Sequence, residues 1–274
     1  MIINSVSITP DRFVVFLFFG AVLLGRGMIF VKDWFPFLAL LLGYEMLRGF
    51  ADDKGLEVQV ESLVNIERAV FGFIPTEKLQ TLLYVPGQVN WYDWVVVIIY
   101  FLHFPLPLIT AFFLWIKDKA QFHKFTISIL VLSFAGFITF LILPAAPPWY
   151  AAERGFVDTE KIINIIISQI GWDWNLSYYY NSLNPNPVAA MPSLHSAYPW
   201  LTFLALRNYS KKIGWIFLPY PLLVWFSVVY LGEHYVIDVI AGVAYAQMVF
   251  LVVYKFSKIK KFVLGKYKKY RRVK

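Results

Sequence analysis

The chain has 274 residues, of which 59% are hydrophobic and only 15% charged, with a formal net charge of +8. Soluble globular proteins have about 25% charged residues, so this composition excludes an ordinary soluble domain and indicates an integral membrane protein. The absence of cysteine excludes disulfides and thiolate chemistry. The predicted fold class is an all-α integral membrane bundle, with residues 1–274 forming a single membrane domain.

Seven apolar runs are long enough, or nearly so, to cross a bilayer, which takes roughly 20 residues. They cover residues 12–31, 34–47, 94–116, 125–143, 196–206, 213–231 and 235–256. The second and fifth are short and need their flanking residues to reach a full span. We predict seven transmembrane helices, or six if the first two runs form a broken or re-entrant pair. The N-terminal spans lie within residues 12–48 and the catalytic core within about 94–256.

The segments between these runs separate by charge. One set is basic and contains Arg26, Lys32, Lys117, Lys119, Lys124, Arg207, Lys211, Lys212 and the tail at 257–274. In the other set, residues 49–93 and 144–190, acids at least match bases. The positive-inside rule places the basic set, including the tail, in the cytoplasm and the long loops outside. Beside a membrane, a basic tail indicates orientation or contact with anionic lipids, so no nucleic-acid partner is predicted.

Two stretches of the outer loops are predicted to form interfacial helices. Residues 56–71 have an amphipathic pattern, and a second helix is predicted over 162–170, capped by Asp158 or Thr159. Packing over the outer ends of the spans is the preferred role of both.

Four histidines are present, and two of them lie outside any recognisable motif. His103 lies within a span, just before Pro105. It is predicted to hydrogen-bond a carbonyl freed by Pro105 or Pro107, with catalysis as the alternative. His123 lies beside Lys124 in a cytoplasmic segment and is predicted to be solvated.

The other two histidines lie at the edges of late apolar runs. His195 follows Pro192 at the start of the fifth run, and His234 precedes Asp238 by four residues at the start of the seventh. On a helix beginning near Glu233, His234 and Asp238 would share one face, so that the carboxylate could orient the imidazole. Both run starts face outside in the predicted topology. The two imidazoles, the carboxylate and free backbone N–H groups could therefore meet on a phosphate there.

These motifs resemble those of a known family. Residues from Pro192 to Ala197 and from His234 to Asp238 resemble the second and third signature motifs of the type 2 phosphatidic acid phosphatase superfamily. The stretch from Leu143 to Tyr150, Leu-Pro-Ala-Ala-Pro-Pro-Trp-Tyr, together with Arg48-Gly-Phe-Ala-Asp, resembles the branch that contains fungal inositol phosphorylceramide synthase and its prokaryotic relatives.

The resemblance implies a role for each motif residue. His234 would be the nucleophile that forms a phosphohistidine, and Asp238 would orient it. His195 would protonate the leaving oxygen and then deprotonate the acceptor. Ser193 would help to hold the phosphate oxygens. Neither a metal nor any other cofactor is implied.

The chain departs from the family pattern at its cations. The Lys-x6-Arg-Pro first motif is absent, and the Ser-Arg pair of the third motif is Ser227-Val228 here. Arg48 is our candidate for the replacement phosphate-binding residue, since guanidinium binds phosphate bidentately, and Arg154 is a second candidate. The alternative for Arg48 is an interfacial residue paired with an acidic neighbour.

Together these features predict a multi-pass lipid phosphatase or phosphotransferase that is metal-independent. Its partner is a membrane lipid, either a phospholipid or a polyprenyl phosphate, and the acceptor is water or an alcohol. The resemblance to prokaryotic relatives suggests the plasma membrane of a prokaryote, with the site outside. The alternative is a non-catalytic lipid-binding or transport protein on the same scaffold. The sequence does not indicate an oligomeric state.

Overall fold

Helices form nearly all of the regular structure in the computed structural model, which describes residues 10–48, 56–169 and 186–255. In chain order they are α1 (Pro10–Leu23), α2 (Gly27–Arg48), α3 (Glu61–Phe71), α4 (Pro75–Leu83), α5 (Trp91–Phe101), α6 (Pro105–Lys117), α7 (Lys119–Ile142), α8 (Pro148–Glu153), α9 (Ile162–Ser168), α10 (Leu194–Tyr209), α11 (Lys211–Phe217), α12 (Pro219–Tyr230) and α13 (Val236–Phe250), followed by a π-helical turn at Leu251–Lys255. The described residues contain isolated β-bridges but no strand, so the all-α prediction is confirmed.

Within the described ranges, four helical segments are long and apolar enough to cross a membrane. They are Gly27–Leu47, Lys119–Ile142, Lys211–Tyr230 and Val236–Lys255. The pair α5 and α6 adds a fifth if its 48° bend lies within one span. The predicted boundary of the first run at residues 12–31 is wrong, because α1 ends at Leu23 and α2 begins at Gly27. The described part of the chain therefore contains four to five candidate spans, and the count of six to seven remains a prediction.

A proline causes the bend between α5 and α6. Pro105 has no N–H to donate, and its ring disfavours the helical conformation at the preceding residue, so the helix breaks over Leu102–Phe104. His103 lies at this break, and Tyr100 lies in the last turn before it. The break therefore brings polar groups into the apolar bundle.

The basic segments gather at one end of the bundle. Lys119 at the start of α7 forms an ion pair of 2.7 Å with Asp33 of α2. Near the same helix start, Asn208 of α10 donates to Gln121 at 3.1 Å. Three segments predicted as cytoplasmic, near residues 32, 119 and 208, therefore share one end, as the charge pattern indicates.

The long loops meet at the opposite end. Ala145 forms parallel bridges to both Gln59 and Ala189. Its N–H donates to Val188 O at 2.7 Å, and its carbonyl accepts from Ala190 N at 3.0 Å. Loop segments far apart in the sequence therefore form one layer over the helix ends.

Both interfacial helices are present, with changed boundaries. The first begins at Glu61, whereas the prediction began at residue 56. In the second, the N-cap is Lys161 and it makes no side-chain capping bond, so the predicted cap at Asp158 or Thr159 is wrong. Thr159 donates instead to Pro148 O at 3.2 Å. Residue 170, residues 49–55 and the tail at 257–274 lie outside the described residues.

Near the site, helices α10 and α13 pack so closely that their backbones are in contact. A Cβ atom on Gly242 of α13 would lie 2.2 Å from Ser193 O, so no larger residue fits without displacing the helices. The Ser193 N–H donates to Asp238 O at 3.0 Å, and Ser196 Oγ donates to Val239 O at 3.3 Å. These contacts fix the N-terminus of α10 against the first turns of α13.

Candidate active site

Each of the two motif histidines lies at a helix start. His195 is the second residue of α10, which follows its N-cap Ser193. His234 lies in the turn between α12 and α13, where its N–H donates to Val228 O at 3.1 Å. This turn follows Gly232, whose φ of +80° lies in the left-handed region that favours glycine.

His234 and Asp238 are adjacent for a different reason from the one predicted. The prediction placed both on one face of a helix beginning near Glu233, but α13 begins at Val236 and His234 precedes it. Asp238 is the third helical residue, and its Oδ2 accepts the Tyr235 N–H at 2.9 Å, as in a capping box. Capping turns the carboxylate back toward His234 Nδ1, which lies 3.5 Å from Oδ2.

The two imidazoles contact each other directly. His195 Nδ1 lies 2.9 Å from His234 Nε2, a hydrogen-bond distance. The other nitrogen of His195, Nε2, lies 3.1 Å from the hydroxyl of Tyr100. His234 is 4% exposed and Asp238 is fully buried, so the pair is shielded from bulk solvent.

Asp238, His234, His195 and Tyr100 form a row, and one assignment of protons is consistent with all of its distances. His234 Nδ1 makes no hydrogen bond within the described residues, but the charge of the Asp238 carboxylate 3.5 Å away favours a proton on that nitrogen. In a neutral ring this leaves the lone pair on Nε2, which then accepts from His195 Nδ1–H. Acting as an acid, His195 is the protonated ring, so its Nε2–H donates to the Tyr100 hydroxyl oxygen. The nucleophilic lone pair of His234 and an acidic N–H of His195 therefore face each other.

A cavity opens beside the two rings. Its lining comes from α2, the α5–α6 break, α7, the loops at the end of the bundle, α10 and the turn before α13. The residues are Tyr44, Glu45, His103, Phe104, Phe140, Pro147, Trp149, Asn186, Pro187, Ala189, Ala190, Leu194, His195, Tyr198, Glu233 and His234. Aromatic and apolar walls with a few polar groups suit a ligand that has both a lipid part and a polar part.

His103 belongs to the site as well as to the helix break. Its Nδ1 lies at hydrogen-bond distance from Tyr100 O, a carbonyl one residue before the one that Pro105 frees. Its ring centroid lies 4.3 Å from that of His195. The predicted partner, a carbonyl freed by Pro105 or Pro107, is therefore wrong, and the catalytic alternative stays a prediction. Three histidines line one cavity.

Glu67 anchors the site from α3. It is fully buried, and its two carboxylate oxygens accept the N–H groups of Val236 and Ile237 at 2.9 and 3.1 Å. Burial raises the pKa of Glu67, and the nearby charge of Asp238 acts in the same direction. Sequence reasoning missed this residue. The sequence feature that could have identified it is its helical spacing. Glu67 follows Val64 by three residues and Leu63 by four, which places a carboxylate on the apolar face of an amphipathic helix.

The predicted phosphate-binding residues lie in different places. Ser193 is fully buried, its Oγ caps α10 by accepting from Ser196 N at 3.3 Å, and it is not among the cavity-lining residues. Arg154 is exposed beyond α8 and donates to the hydroxyl of Tyr150. Arg48 ends α2, but its side chain lies outside what the structure describes. Binding of phosphate by these three residues stays a prediction.

Comparison with known proteins gives the site its context. A family model described as "PAP2 superfamily" matches residues 61–252. Phosphoinositol dihydroceramide synthase of Bacteroides thetaiotaomicron is 27% identical over 224 residues, covering 77% of this chain and 72% of the relative. Inositol phosphorylceramide synthase of Candida albicans is 26% identical over 74% of this chain and 43% of the relative. The catalytic subunit of that synthase in Saccharomyces cerevisiae is 24% identical over 78% of this chain and 54% of the relative.

This chain therefore spans about half the length of those two fungal relatives. No solved structure matches it. The family model covers more than half of the chain, including the two histidines and the aspartate that meet beside the cavity. The chain belongs to the PAP2 superfamily, that of the type 2 phosphatidic acid phosphatases.

Proposed function

We propose that this protein is a membrane enzyme that transfers the phosphoryl-bearing headgroup of a lipid through a phosphohistidine. The observation that carries the proposal is the 2.9 Å contact between His195 Nδ1 and His234 Nε2 beside a cavity with apolar and polar walls. A nucleophile, an acid and an orienting carboxylate in one row are the parts that covalent catalysis of this kind needs.

In the first step, the lone pair of His234 Nε2 attacks phosphorus, and the bond from phosphorus to the leaving oxygen breaks. His195 gives its Nδ1 proton to that oxygen, so the first product leaves as an alcohol. Asp238 supports the positive charge that develops on His234. Since the two nitrogens are in contact, substrate must enter between them and displace the ring of His195, which is the less buried of the two.

In the second step, the acceptor hydroxyl gives its proton to His195 Nδ1 and its oxygen attacks phosphorus. The phosphorus–nitrogen bond breaks and its electron pair returns to His234 Nε2. His195 is again protonated and His234 again neutral, so the cycle closes without a net change in the enzyme.

A lipid alcohol is the proposed acceptor, and a phosphoinositol-bearing lipid is the proposed donor. The names of the relatives, phosphoinositol dihydroceramide synthase and inositol phosphorylceramide synthase, support this choice over water and over a polyprenyl phosphate. The cavity supports it too, because the carboxylates of Glu45 and Glu233 can accept hydrogen bonds from headgroup or acceptor hydroxyls.

The setting proposed for this reaction is the outer face of a prokaryotic plasma membrane, in a bundle of six to seven spans. The charge difference between the two ends of the bundle supports this orientation. The reaction is proposed to need no metal, because an imidazole supplies each of the required proton and nucleophile functions.

The test is turnover by detergent-purified protein on phosphatidic acid, undecaprenyl pyrophosphate, and phosphatidylinositol with a ceramide-type alcohol. His234→Ala is expected to reduce the rate by about a thousandfold or more, as loss of a covalent nucleophile does. His123→Ala is the matched control, because His123 is exposed at the opposite end of the bundle. Chelation of divalent metals is expected to leave the wild-type rate unchanged.

Acid-labile, base-stable radiolabel on the wild-type protein after reaction with a donor labelled at phosphorus would identify the phosphohistidine. Full activity in His234→Ala would overturn the mechanism. Absence of turnover across the whole panel by the wild-type protein would favour the non-catalytic lipid-binding or transport role instead.

A further inference from the structure

The cavity lacks the cations that its family uses for phosphate. The first-motif lysine and arginine are absent, and the third-motif arginine is Val228, which is fully buried in an apolar cluster around α12. Among the described residues, the lining contains two glutamates, three histidines and two tyrosines, and neither lysine nor arginine. A phosphate oxygen beside Glu233 would be repelled unless another group brings positive charge to the same place.

The backbone segment before α9 positions a lysine, Lys161, next to the part of the cavity lining that contains Glu233. The side-chain amide of Gln80 bonds both backbone groups of Glu160, donating to its O at 2.9 Å and accepting from its N at 2.8 Å. The same amide donates to Tyr230 O at 2.9 Å. A Cβ atom on Gly232 would lie 2.6 Å from Glu160 O, so the segment lies directly against the turn that carries Glu233 and His234. Lys161 is the next residue along it.

The side chain of Lys161 lies against one group that lines the cavity, Trp149, and its charge interacts with another, Glu233. Its Nζ lies 3.9 Å from the centre of the Trp149 ring, a cation–π contact. Its charge interacts favourably with that of Glu233. Burial lowers the pKa of Lys161, which marks it as drawn in from solvent, unlike the exposed Arg154.

We propose that Lys161 is the phosphate-binding residue that replaces the missing family cations. In the ligand-free state its charge is shared with Glu233 and the face of Trp149. When substrate enters, the ammonium group donates to a non-bridging phosphate oxygen, and the Trp149 ring keeps it at the mouth of the site. This role rests on the function proposed above and names one of its residues.

A purely structural ion pair between Lys161 and Glu233 would give a different mutational pattern. If the lysine only balances the glutamate, then removing both charges in Lys161→Met/Glu233→Gln restores what Lys161→Met loses. If the lysine binds phosphate, the double variant recovers only in part, because Glu233→Gln removes the repulsion but supplies no ammonium donor. Lys161→Arg keeps the charge and is expected to retain most of the binding.

The experiment measures binding and turnover separately. The melting temperature of the detergent-purified protein is titrated with orthovanadate, a phosphate analogue, in wild type, Lys161→Met, Lys161→Arg and the double variant. Lys78→Met is the matched control, an exposed lysine on the neighbouring helix α4. We expect the apparent Kd for vanadate, and the KM for the lipid donor, to rise about tenfold to a hundredfold in Lys161→Met, as loss of a charge-assisted hydrogen bond does. A smaller change is expected in kcat.

Wild-type affinity for vanadate in Lys161→Met, or recovery of full wild-type affinity in the double variant, would overturn the assignment of Lys161 and leave the proposed function standing. Failure of vanadate to stabilise the wild-type protein at any concentration would overturn the phosphate site itself. A folded Lys161→Met protein is recognised by a ligand-free melting temperature close to that of Lys78→Met. If the methionine variant fails to fold, Lys161→Gln takes its place with the same expectations.

Discussion

At the residue scale, the position of Asp238 determines which nitrogens of the two imidazoles carry protons. The charge of the carboxylate favours a proton on His234 Nδ1, which leaves His234 Nε2 to accept from His195 Nδ1–H, while His195 Nε2–H donates to Tyr100. Tyr100 lies at the far end, with its ring stacked on that of His195 at a centroid distance of 5.0 Å. It touches the proposed acid and not the phosphate, so it is a positioning residue.

Tyr100→Phe tests this position without changing the stacked ring. Loss of this hydrogen bond is expected to lower kcat about twofold to tenfold, because the ring of His195 is no longer held in the orientation that points Nδ1–H at His234. The wild-type rate should depend on pH as a bell, since one imidazole must be neutral and the other protonated. In Tyr100→Phe, the limb of the pH–rate profile that reports ionisation of the acid is expected to shift to a different pH.

Steady-state rates from pH 5 to 9 measure both effects. The control is Tyr245→Phe, which removes a tyrosine hydroxyl bonded to Thr139 on α7 at 2.9 Å and leaves His195 untouched. A flat wild-type profile would count against paired histidines. An unchanged profile and rate in Tyr100→Phe would show that the hydroxyl does not position His195.

At the scale of elements, the N-terminal turns of two helices carry the residues of the site. The first turn of α10 carries His195, and the first turn of α13 carries Asp238, while Glu67 of α3 satisfies two further N–H groups of α13. Backbone N–H groups at a helix start lack partners within the helix, so an outside carboxylate stabilises them and the dipole together. Glu67 therefore links the loop layer to the geometry of the catalytic row.

Removal of that carboxylate should destabilise the fold. Glu67→Ala leaves two buried N–H groups without acceptors, and we expect a loss of about 2–3 kcal/mol in the free energy of unfolding. Glu61→Ala, at an exposed position in the first turn of the same helix, is the control and should change stability far less. Thermal or denaturant unfolding in detergent measures the difference. Equal losses in the two variants would contradict the capping role.

The pH dependence of stability gives a second readout of Glu67. Because its pKa is raised in the folded protein, the folded state holds this proton more tightly than the unfolded chain does. Its contribution to stability is therefore present below the ordinary value of 4.5 and is lost as pH rises through the raised pKa. Glu67→Gln has no such proton, so the stability of wild type relative to Glu67→Gln should fall as pH rises above about 4.5.

At the scale of the whole molecule, local patterns predicted what depends on local physics. Apolar runs, the charge of the segments between them and the His234–Asp238 spacing predicted a helical bundle with two distinct ends and a paired histidine and aspartate. The reason given for the pairing was wrong, because the carboxylate reaches back through a cap before the helix begins. Which polar residues reach a shared cavity across the bundle was beyond the sequence. Tyr100 and Lys161 meet the site only through tertiary packing, and neither lies in a motif.

The orientation of the molecule across the membrane can be tested with single cysteines, because the natural chain has none. Lys78 is exposed on α4 at the loop end, where Glu77 beside it accepts the N–H of Asp158 at 2.8 Å. Lys211 is exposed at the start of α11, close to the basic end. In spheroplasts, a membrane-impermeant maleimide should label Lys78→Cys directly and Lys211→Cys only after permeabilisation, since the positive-inside rule places the basic end in the cytoplasm. Labelling in the opposite order would place the histidine pair on the cytoplasmic side, and the lipid donor and acceptor would then have to come from the inner leaflet.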